Sequence, residues 1–245
     1  MMELQEVTKV YQQGRRTVHA VRGVNLKIDG GEFVSIMGPS GSGKSTVMHL
    51  LGALDTPTSG KALFGGHDLQ SLSDKERSSL RRTRIGFVFQ FFNLLPTLTA
   101  GENVALPLLL GGVSRSQARR RAEASMERVG IFERVDHFPE EMSGGEMQRV
   151  AIARALVTEP EAILCDEPTG NLDSATSHEV LSLLRGLPEI GKRAVVMVTH
   201  DPQAAAYGER TVRIRDGLVE SDDLSSRNLE RREMPARHST AIGHL

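Results

Sequence analysis

The sequence predicts an α/β fold: an open sheet of buried strands, preceded by an antiparallel ribbon and interrupted by a mainly helical insertion. Three observations predict it. Short runs at Glu32–Met37, Ile85–Phe89, Ala162–Asp166 and Ala194–Thr199 are dominated by aliphatic and aromatic side chains, as strands covered on both faces are. Ahead of them, Val18, Ala20, Arg22, Val24, Leu26 and Ile28 share one phase of a two-residue alternation, with Arg22 its one polar member. That phase marks a half-buried ribbon. Past Gln90 the composition turns to loop and helix-spaced residues until about Pro160.

The 245 residues are 39% hydrophobic and 25% charged, with a net charge of −1. This supports one sizeable globular domain, and no global field selects nucleic acid or anionic lipid. The single cysteine, Cys165, excludes an internal disulfide framework and suits a reducing compartment. Inside an apolar strand it reads as a small buried hydrophobe. Residues Met1–Glu6 lack the basic and apolar regions of a signal peptide. No apolar run reaches the roughly 18 residues of a membrane span; the longest, Val104–Val113, is broken by Pro107 and two glycines. The chain is expected to be soluble by itself and to reach a membrane only through a partner.

In chain order, Leu4–Tyr11 and Thr17–Ile28 are the expected ribbon strands, and Asp29-Gly30-Gly31 turns into the next strand. A helix opens over Ser45–Leu51. Thr56–Gly60 reads as a loop, Lys61–Phe64 as a short strand turned by Gly65-Gly66, and Asp74–Arg84 as a charged helix. Pro96–Val113 reads as loop and apolar helix. Ser114–Gly130 sets Ala118, Ala122, Met126 and Val129 at helical spacing, with Ser114 as N-cap and Gly130 as C-cap. Its Arg119-Arg120-Arg121 run reads as a solvated face, not a nucleic-acid site. A helix from about Ala175 to Leu187 and a hairpin of Thr211–Asp216 and Leu218–Glu220 complete the pattern. The core is thus expected over residues 2–90 and 161–223, the helical insertion over 91–160, and a polar, flexible tail over 224–245.

Chemistry concentrates at the ends of the apolar runs. Gly38-Pro39-Ser40-Gly41-Ser42-Gly43-Lys44-Ser45 is a complete phosphate-binding loop between a strand and a helix. Its glycines, Gly38, Gly41 and Gly43, let backbone N–H groups turn onto an anion at the positive end of the helix. Lys44 is expected to reach the β- and γ-phosphates, Ser45 to hold Mg²⁺, and Thr46 to bond a phosphate oxygen. Asp166 and Glu167 end the third run, where open α/β sheets bind ligands. Asp166 suits a Mg²⁺ partner and Glu167 a base that polarises attacking water. His200 ends the fourth run and suits a γ-phosphate contact; Gln90 ends the second, with an amide suited to Mg²⁺ or water. Ser143-Gly144-Gly145-Glu146 is a capping box opening a helix. Its glycines also expose N–H groups, which makes it a second anion site. Two such surfaces about a hundred positions apart suit a head-to-tail pair of chains that complete each other's sites.

This set resembles the ATP-binding cassette (ABC) family of ATPases over nearly all of residues 2–223. The motifs fall in family order: the loop Gly38–Ser45, Gln90, a signature over Met142–Gln148, Asp166-Glu167, the Asn171-Leu172-Asp173 loop, and His200. The finer resemblance, carried by Gly86–Gln90, Phe92–Thr99 and Asp166–Ser174, is to the branch of macrolide-exporter, lipoprotein-releasing and cell-division ATPases. It implies a P-loop NTPase fold with a RecA-like core, ATP and Mg²⁺ as ligands, and ATP hydrolysis. It also implies that Tyr11 stacks on adenine, that Ser40, Gly41 and Thr46 help hold phosphate, and that Ser143, Gly144 and Gly145 contact the γ-phosphate held by the opposite subunit. Asp173 would bridge the dimer. Met142 and Glu146 depart from the usual Leu and Gln of the signature, and Glu146 puts a carboxylate near that γ-phosphate. Gly101, where a larger residue is usual, is expected to loosen the helix after it.

The function implied is an ATPase subunit that forms a homodimer around ATP and drives a separate transmembrane permease at the cytoplasmic face of the cell membrane. No nucleic acid is expected. The loop after Gln90, with Phe91, Phe92 and Leu94, is the expected docking surface, with ordinary core as the equal alternative. Rival readings are a soluble ABC-type ATPase with a non-membrane partner, a small-molecule or nucleotide kinase, and a binding-only regulator. The first usually carries a coiled-coil insertion or second cassette, which this chain lacks; the second needs neither Ser143 nor Asp173; the third leaves Glu167 and His200 without a purpose.

Overall fold

The computed structural model describes residues 1–14, 16–190 and 192–224. A six-stranded sheet forms the centre. Its parallel strands are β3 (Phe33–Met37), β6 (Ile85–Phe89), β7 (Ala162–Asp166), β8 (Ala194–Thr199) and β9 (Arg210–Arg215), with β10 (Leu218–Leu224) antiparallel at one edge. The spatial order is β10-β9-β3-β8-β7-β6. A second, four-stranded sheet, ordered β2-β1-β4-β5, is built from β1 (Met2–Gln13), β2 (Arg16–Ile28), β4 (Ser59–Phe64) and β5 (His67–Asp68).

Alternation along the central strands explains the layering. Ile163 and Cys165 face one side of β7, Ala162 and Leu164 the other; on β8, Val195 and Met197 oppose Ala194, Val196 and Val198. All are buried, because helices cover one face and the smaller sheet covers the other. Helix α1 (Lys44–Leu51) lies in the second layer, with Val47, Met48, Leu50 and Leu51 fully buried among residues of both sheets. The loop that precedes α1 is thereby held between the two sheets.

Helix α2 (Asp74–Thr83) starts with a capping box between Ser73 and Glu76. Helices α3 (Ala100–Leu110), α4 (Arg115–Arg128) and α5 (Gly144–Leu156) follow between β6 and β7. Their core of Val104, Leu108, Ala118, Ala122, Met126, Val150 and Ile152 is continuous with Val88, Ile163 and Val195 of the sheet. The inserted helices therefore share a hydrophobic core with the sheet. Helices α6 (Ser174–Arg185) and α7 (Pro202–Ala205) complete the same side. Among the described residues, no helix is long and apolar enough to cross a membrane.

The structure departs from the expected pattern at five places, of which two are shifts of boundary: β4 already begins at Ser59, inside the expected loop, and the C-cap of α4 is Val129, with Gly130 at φ +69° one position beyond. In β2 the buried residues are Val21, Val24, Leu26 and Ile28, so burial changes phase between Val21 and Val24, and Arg22 is exposed. The β1–β2 register shifts around Val7 and Lys9, and Gly23 takes φ +66°. A bulge changes the phase there and turns Arg22 outward. Gly101 does not loosen α3: a Cβ there would lie 2.7 Å from Val135 Cγ2 and 3.0 Å from its carbonyl oxygen. The Gly101 N–H donates to that carbonyl, and a Thr99/Glu102 capping box secures the same turn. Ser114 occupies the N-cap position of α4, but its hydroxyl donates to Gln117 Oε1 instead of bonding the backbone. The expectation for residues 225–245 lies outside the described residues.

Candidate functional site

Four parallel strands end at one edge, and each delivers a polar group. After Met37 the chain turns through Gly38–Gly43 into α1; after β6 stands Gln90, after β7 Glu167, and after β8 His200. Gly38, Ser40, Gly41, Lys44, Ser45, Gln90, Glu167 and His200 line one cleft of about 750 Å³. Gly43, at φ +103°, is the N-cap of α1, and Thr46 lies in its first turn.

Lys44 is 5% exposed, and its Nζ donates to the carbonyl of Pro39 at 2.8 Å. Burial lowers its pKa, against the opposing pull of Glu167 and Asp166. The buried ammonium therefore lacks full compensation, the condition of a cation that gains when an anion arrives. The Ser45 hydroxyl donates to Asp166 Oδ1 at 3.2 Å. Burial raises the Asp166 carboxyl above its ordinary value, while the Ser45 bond pulls it down. These two hard oxygen donors suit a Mg²⁺ ion, which takes one or two protein ligands and keeps water or phosphate for the rest. No group of three acidic, His or Cys side chains converges on a metal position among the described residues.

Glu167 has φ +46°, a left-handed backbone rare outside glycine. Its N–H donates to Val198 O at 2.9 Å, and its Oε2 lies 2.9 Å from His200 Nδ1. Strain of this kind persists where packing enforces it. Gln90 is held by Asn171: its Nε2 donates to Asn171 Oδ1 at 3.3 Å, and Asn171 Nδ2 donates to the Gln90 carbonyl at 3.0 Å. This clamp joins β6 to the loop after Glu167.

Tyr11, Ser143, Gly144, Gly145 and Asp173 are not among the residues lining the cleft. The Tyr11 hydroxyl donates to Asp55 Oδ2 at 2.7 Å, and Lys9 Nζ lies 4.9 Å above its ring. Ser143 caps α5: its hydroxyl accepts from Glu146 N at 3.3 Å, and Glu146 Oε2 accepts from Ser143 N at 2.8 Å. Gly144 packs towards Leu172, and Gly145 so closely on Thr176 that a Cβ would lie 2.3 Å from its Cγ2. Asp173 caps α6 and accepts from the N–H groups of Ala175 and Thr176, each at 3.0 Å. The signature end and Asp173 therefore do not line their own chain's cleft, although Asn171 of the same loop is bonded to Gln90.

The carboxylate of Glu146 is not free. Arg134 Nε donates to its Oε1 at 2.7 Å, and the Ser143 N–H with this guanidinium holds its pKa down at about 2. The depressed value means that Glu146 contributes stability above its unfolded pKa, lost as pH falls from about 4.5 through about 2. The charge that the sequence sets beside the second anion site is thus largely neutralised within the chain. Arg213, Arg215 and Glu220, from the β9–β10 hairpin, also line the cleft and were not foreseen. Their one available signal was the position of β9 just before a Gly-containing turn.

A family model described as ABC transporter matches residues 21–170. The chain is 50% identical, over 91% of its length, to a macrolide export ATP-binding/permease protein MacB from Syntrophobacter fumaroxidans, and spans 31% of that protein. It is 48% identical over 91% of its length to the lipoprotein-releasing system ATP-binding protein LolD from Geobacter metallireducens, and spans 99% of it. A solved dimeric post-hydrolysis state of the ATP-binding cassette MJ0796, bound to ADP and Pi, superimposes with a TM-score of 0.85 at 46% identity. That likeness covers 91% of this chain and 98% of the other. With the phosphate loop, the acidic strand end and the capped signature helix all in place, the chain belongs to the ABC transporter family as an ATP-binding cassette ATPase.

Proposed function

We propose that this cassette forms a homodimer around ATP and Mg²⁺, hydrolyses ATP there, and drives a separate transmembrane permease from the cytoplasmic face of the membrane. The observation that carries this reading is the separation of two phosphate-binding surfaces on one chain. Lys44, Glu167 and His200 line the cleft, whereas Ser143, Gly144 and Gly145, at the start of α5, do not. A second copy, turned head to tail, brings its α5 terminus over the cleft. The dimeric MJ0796 cassette is a relative assembled in pairs.

In this reading the loop N–H groups and Lys44 hold the β- and γ-phosphates. Mg²⁺ supplies charge neutralisation when bound, with Ser45, Asp166 and Gln90 as its protein neighbours. Glu167 accepts the proton of the attacking water, and His200, held at 2.9 Å by Glu167, steadies the transferring group. Little covalent chemistry is asked of the protein; positioning and electrostatics carry the rate. The names of the MacB and LolD relatives support export or lipoprotein release as the coupled work. A soluble ABC-type ATPase remains the rival, and a kinase has no use for the capped surface at Ser143.

The permease contact is assigned to the loop after Gln90. Phe91 is 71% exposed, whereas Leu94 packs on the core. Arg154 braces the loop by donating to the carbonyls of Phe92 at 2.7 Å and Asn93 at 2.6 Å. Beside it, Leu98, Ala105 and Leu109 line a cavity of about 440 Å³. In membranes from cells producing the chain, Phe91→Ser is expected to cut the membrane-bound fraction roughly thirtyfold, the effect of losing an anchor worth about 2 kcal/mol. ATP binding stays unchanged. Equal sedimentation of both forms with membranes would remove the loop as the contact, and recovery of the wild-type chain only in the soluble fraction favours the rival.

A further inference from the structure

We propose that the β9–β10 turn, through the backbone of Gly217, positions the phosphate loop for ATP. The Gly217 N–H donates to the carbonyl of Ser42 at 2.9 Å, and the Gly217 carbonyl accepts from Arg22 N at 2.9 Å. One residue therefore ties the phosphate loop to β2 of the smaller sheet. Ser42 stands two positions before Lys44, and through the planar Ser42–Gly43 peptide the direction of its carbonyl fixes the direction of the Gly43 N–H.

The approach is close from both sides. A Cβ on Gly217 would lie 2.9 Å from Ala20 O and 3.3 Å from Val21 Cα. A Cβ on Gly43 would lie 2.3 Å from the same Ala20 carbonyl, and one on Gly38 would lie 2.0 Å from Ile214 O. Gly217 also has φ +78°, following Asp216 at φ +50°. At Gly43 and Gly217 the obstructing atoms are all backbone, which cannot swing aside. The Ser42 hydroxyl, buried and without a hydrogen-bond partner, offers no substitute anchor. The loop is thus seated by main-chain contacts to β2 and β9, and Gly217 is the residue that makes both hydrogen bonds.

Gly217 does not line the cleft, whereas Glu167 and His200 do, from the ends of β7 and β8. A shifted turn therefore moves the phosphate cradle and leaves the hydrolytic pair in place. The proposal rests on the loop being the ATP site. The experiment measures the ATP dissociation constant by calorimetry and the single-turnover cleavage rate at saturating ATP and Mg²⁺, for the full chain. Gly217→Ala is expected to weaken ATP binding roughly tenfold, the worth of one well-placed hydrogen bond, with the cleavage rate within about twofold of wild type. Gly217→Asn tolerates the left-handed backbone better, meets the Ala20 carbonyl with the same Cβ, and is expected to show the same split with a smaller loss of melting temperature. Gly66→Ala is the control: φ is +81° there, and a Cβ meets nothing within 4 Å. It carries comparable strain and is expected to lower the melting temperature without changing ATP affinity. Unchanged affinity in both Gly217 variants, with melting lowered as in Gly66→Ala, would overturn the proposal by making the turn merely structural. A fall in cleavage rate at unchanged affinity would overturn it too. Failure of the wild-type chain to bind ATP would overturn the ATP reading itself.

Discussion

Glu167→Gln is expected to bind ATP as tightly as the wild-type chain and to cleave it at least about a hundredfold more slowly, the usual worth of a general base. The amide is isosteric with the carboxylate and keeps an oxygen for the contact that Oε2 now makes with His200 Nδ1 at 2.9 Å. The Glu167 N–H bond to Val198 O, which holds the residue at φ +46°, is a main-chain feature and survives. Only proton acceptance is lost. Because ATP persists, pairs of chains are expected to accumulate, seen as an ATP-dependent doubling of mass by light scattering. Unchanged steady-state phosphate release in this variant removes Glu167 from the role of base.

Lys44→Ala is expected to weaken ATP binding by at least about a hundredfold while leaving the melting temperature of the empty protein within a few degrees of wild type. The first half follows from losing a charge-assisted contact to phosphate in a partly dry site. The second half follows from burial, which lowers the Lys44 pKa despite Asp166 and Glu167. A folded pKa below the unfolded 10.5 means that the charged form costs stability at neutral pH, a cost relieved as pH rises towards 10.5. Alanine removes that cost along with the bond to the Pro39 carbonyl. The residue is held for its ligand at the expense of the empty fold. Calorimetric titration and thermal melting of one preparation check both halves. A large drop in melting temperature at intact affinity would make Lys44 a structural residue.

The parts of the site legible in the sequence were those that depend on near neighbours. The phosphate loop is contiguous, and Gln90, Glu167 and His200 each end a buried run whose composition marks it as a strand. Parallel packing of such runs brings their ends to one edge, so the cleft was readable before its distances were known. The capping box at Ser143 and Glu146 was readable for the same reason, its partners being three positions apart.

What escaped notice depends on contacts between distant elements. Asn171 clamps Gln90 across 81 positions, and no periodicity announces a side-chain pair of that separation. Arg134 reaches Glu146 through an irregular segment containing only short 3-10 turns. The small residue at Gly101 makes sense only once Val135 is seen against it. The phase slip at Val21 in β2 is set by a bulge shared with β1, and a single strand's alternation cannot show where its partner gains a residue.

The central claim is that one chain's glycine cradle and another chain's α5 terminus enclose the same ATP. It is tested most directly by a covalent link between them. Ser40 and Ser143 are both exposed, and the only native thiol, Cys165, is fully buried with its pKa pushed up by that burial. In a Glu167→Gln background, Ser40→Cys and Ser143→Cys are placed on separately tagged copies, mixed, and oxidised with and without ATP and Mg²⁺. The account predicts a covalent heterodimer that forms only with ATP. Absence of that heterodimer in a preparation that binds ATP, or equal yield without nucleotide, would contradict it.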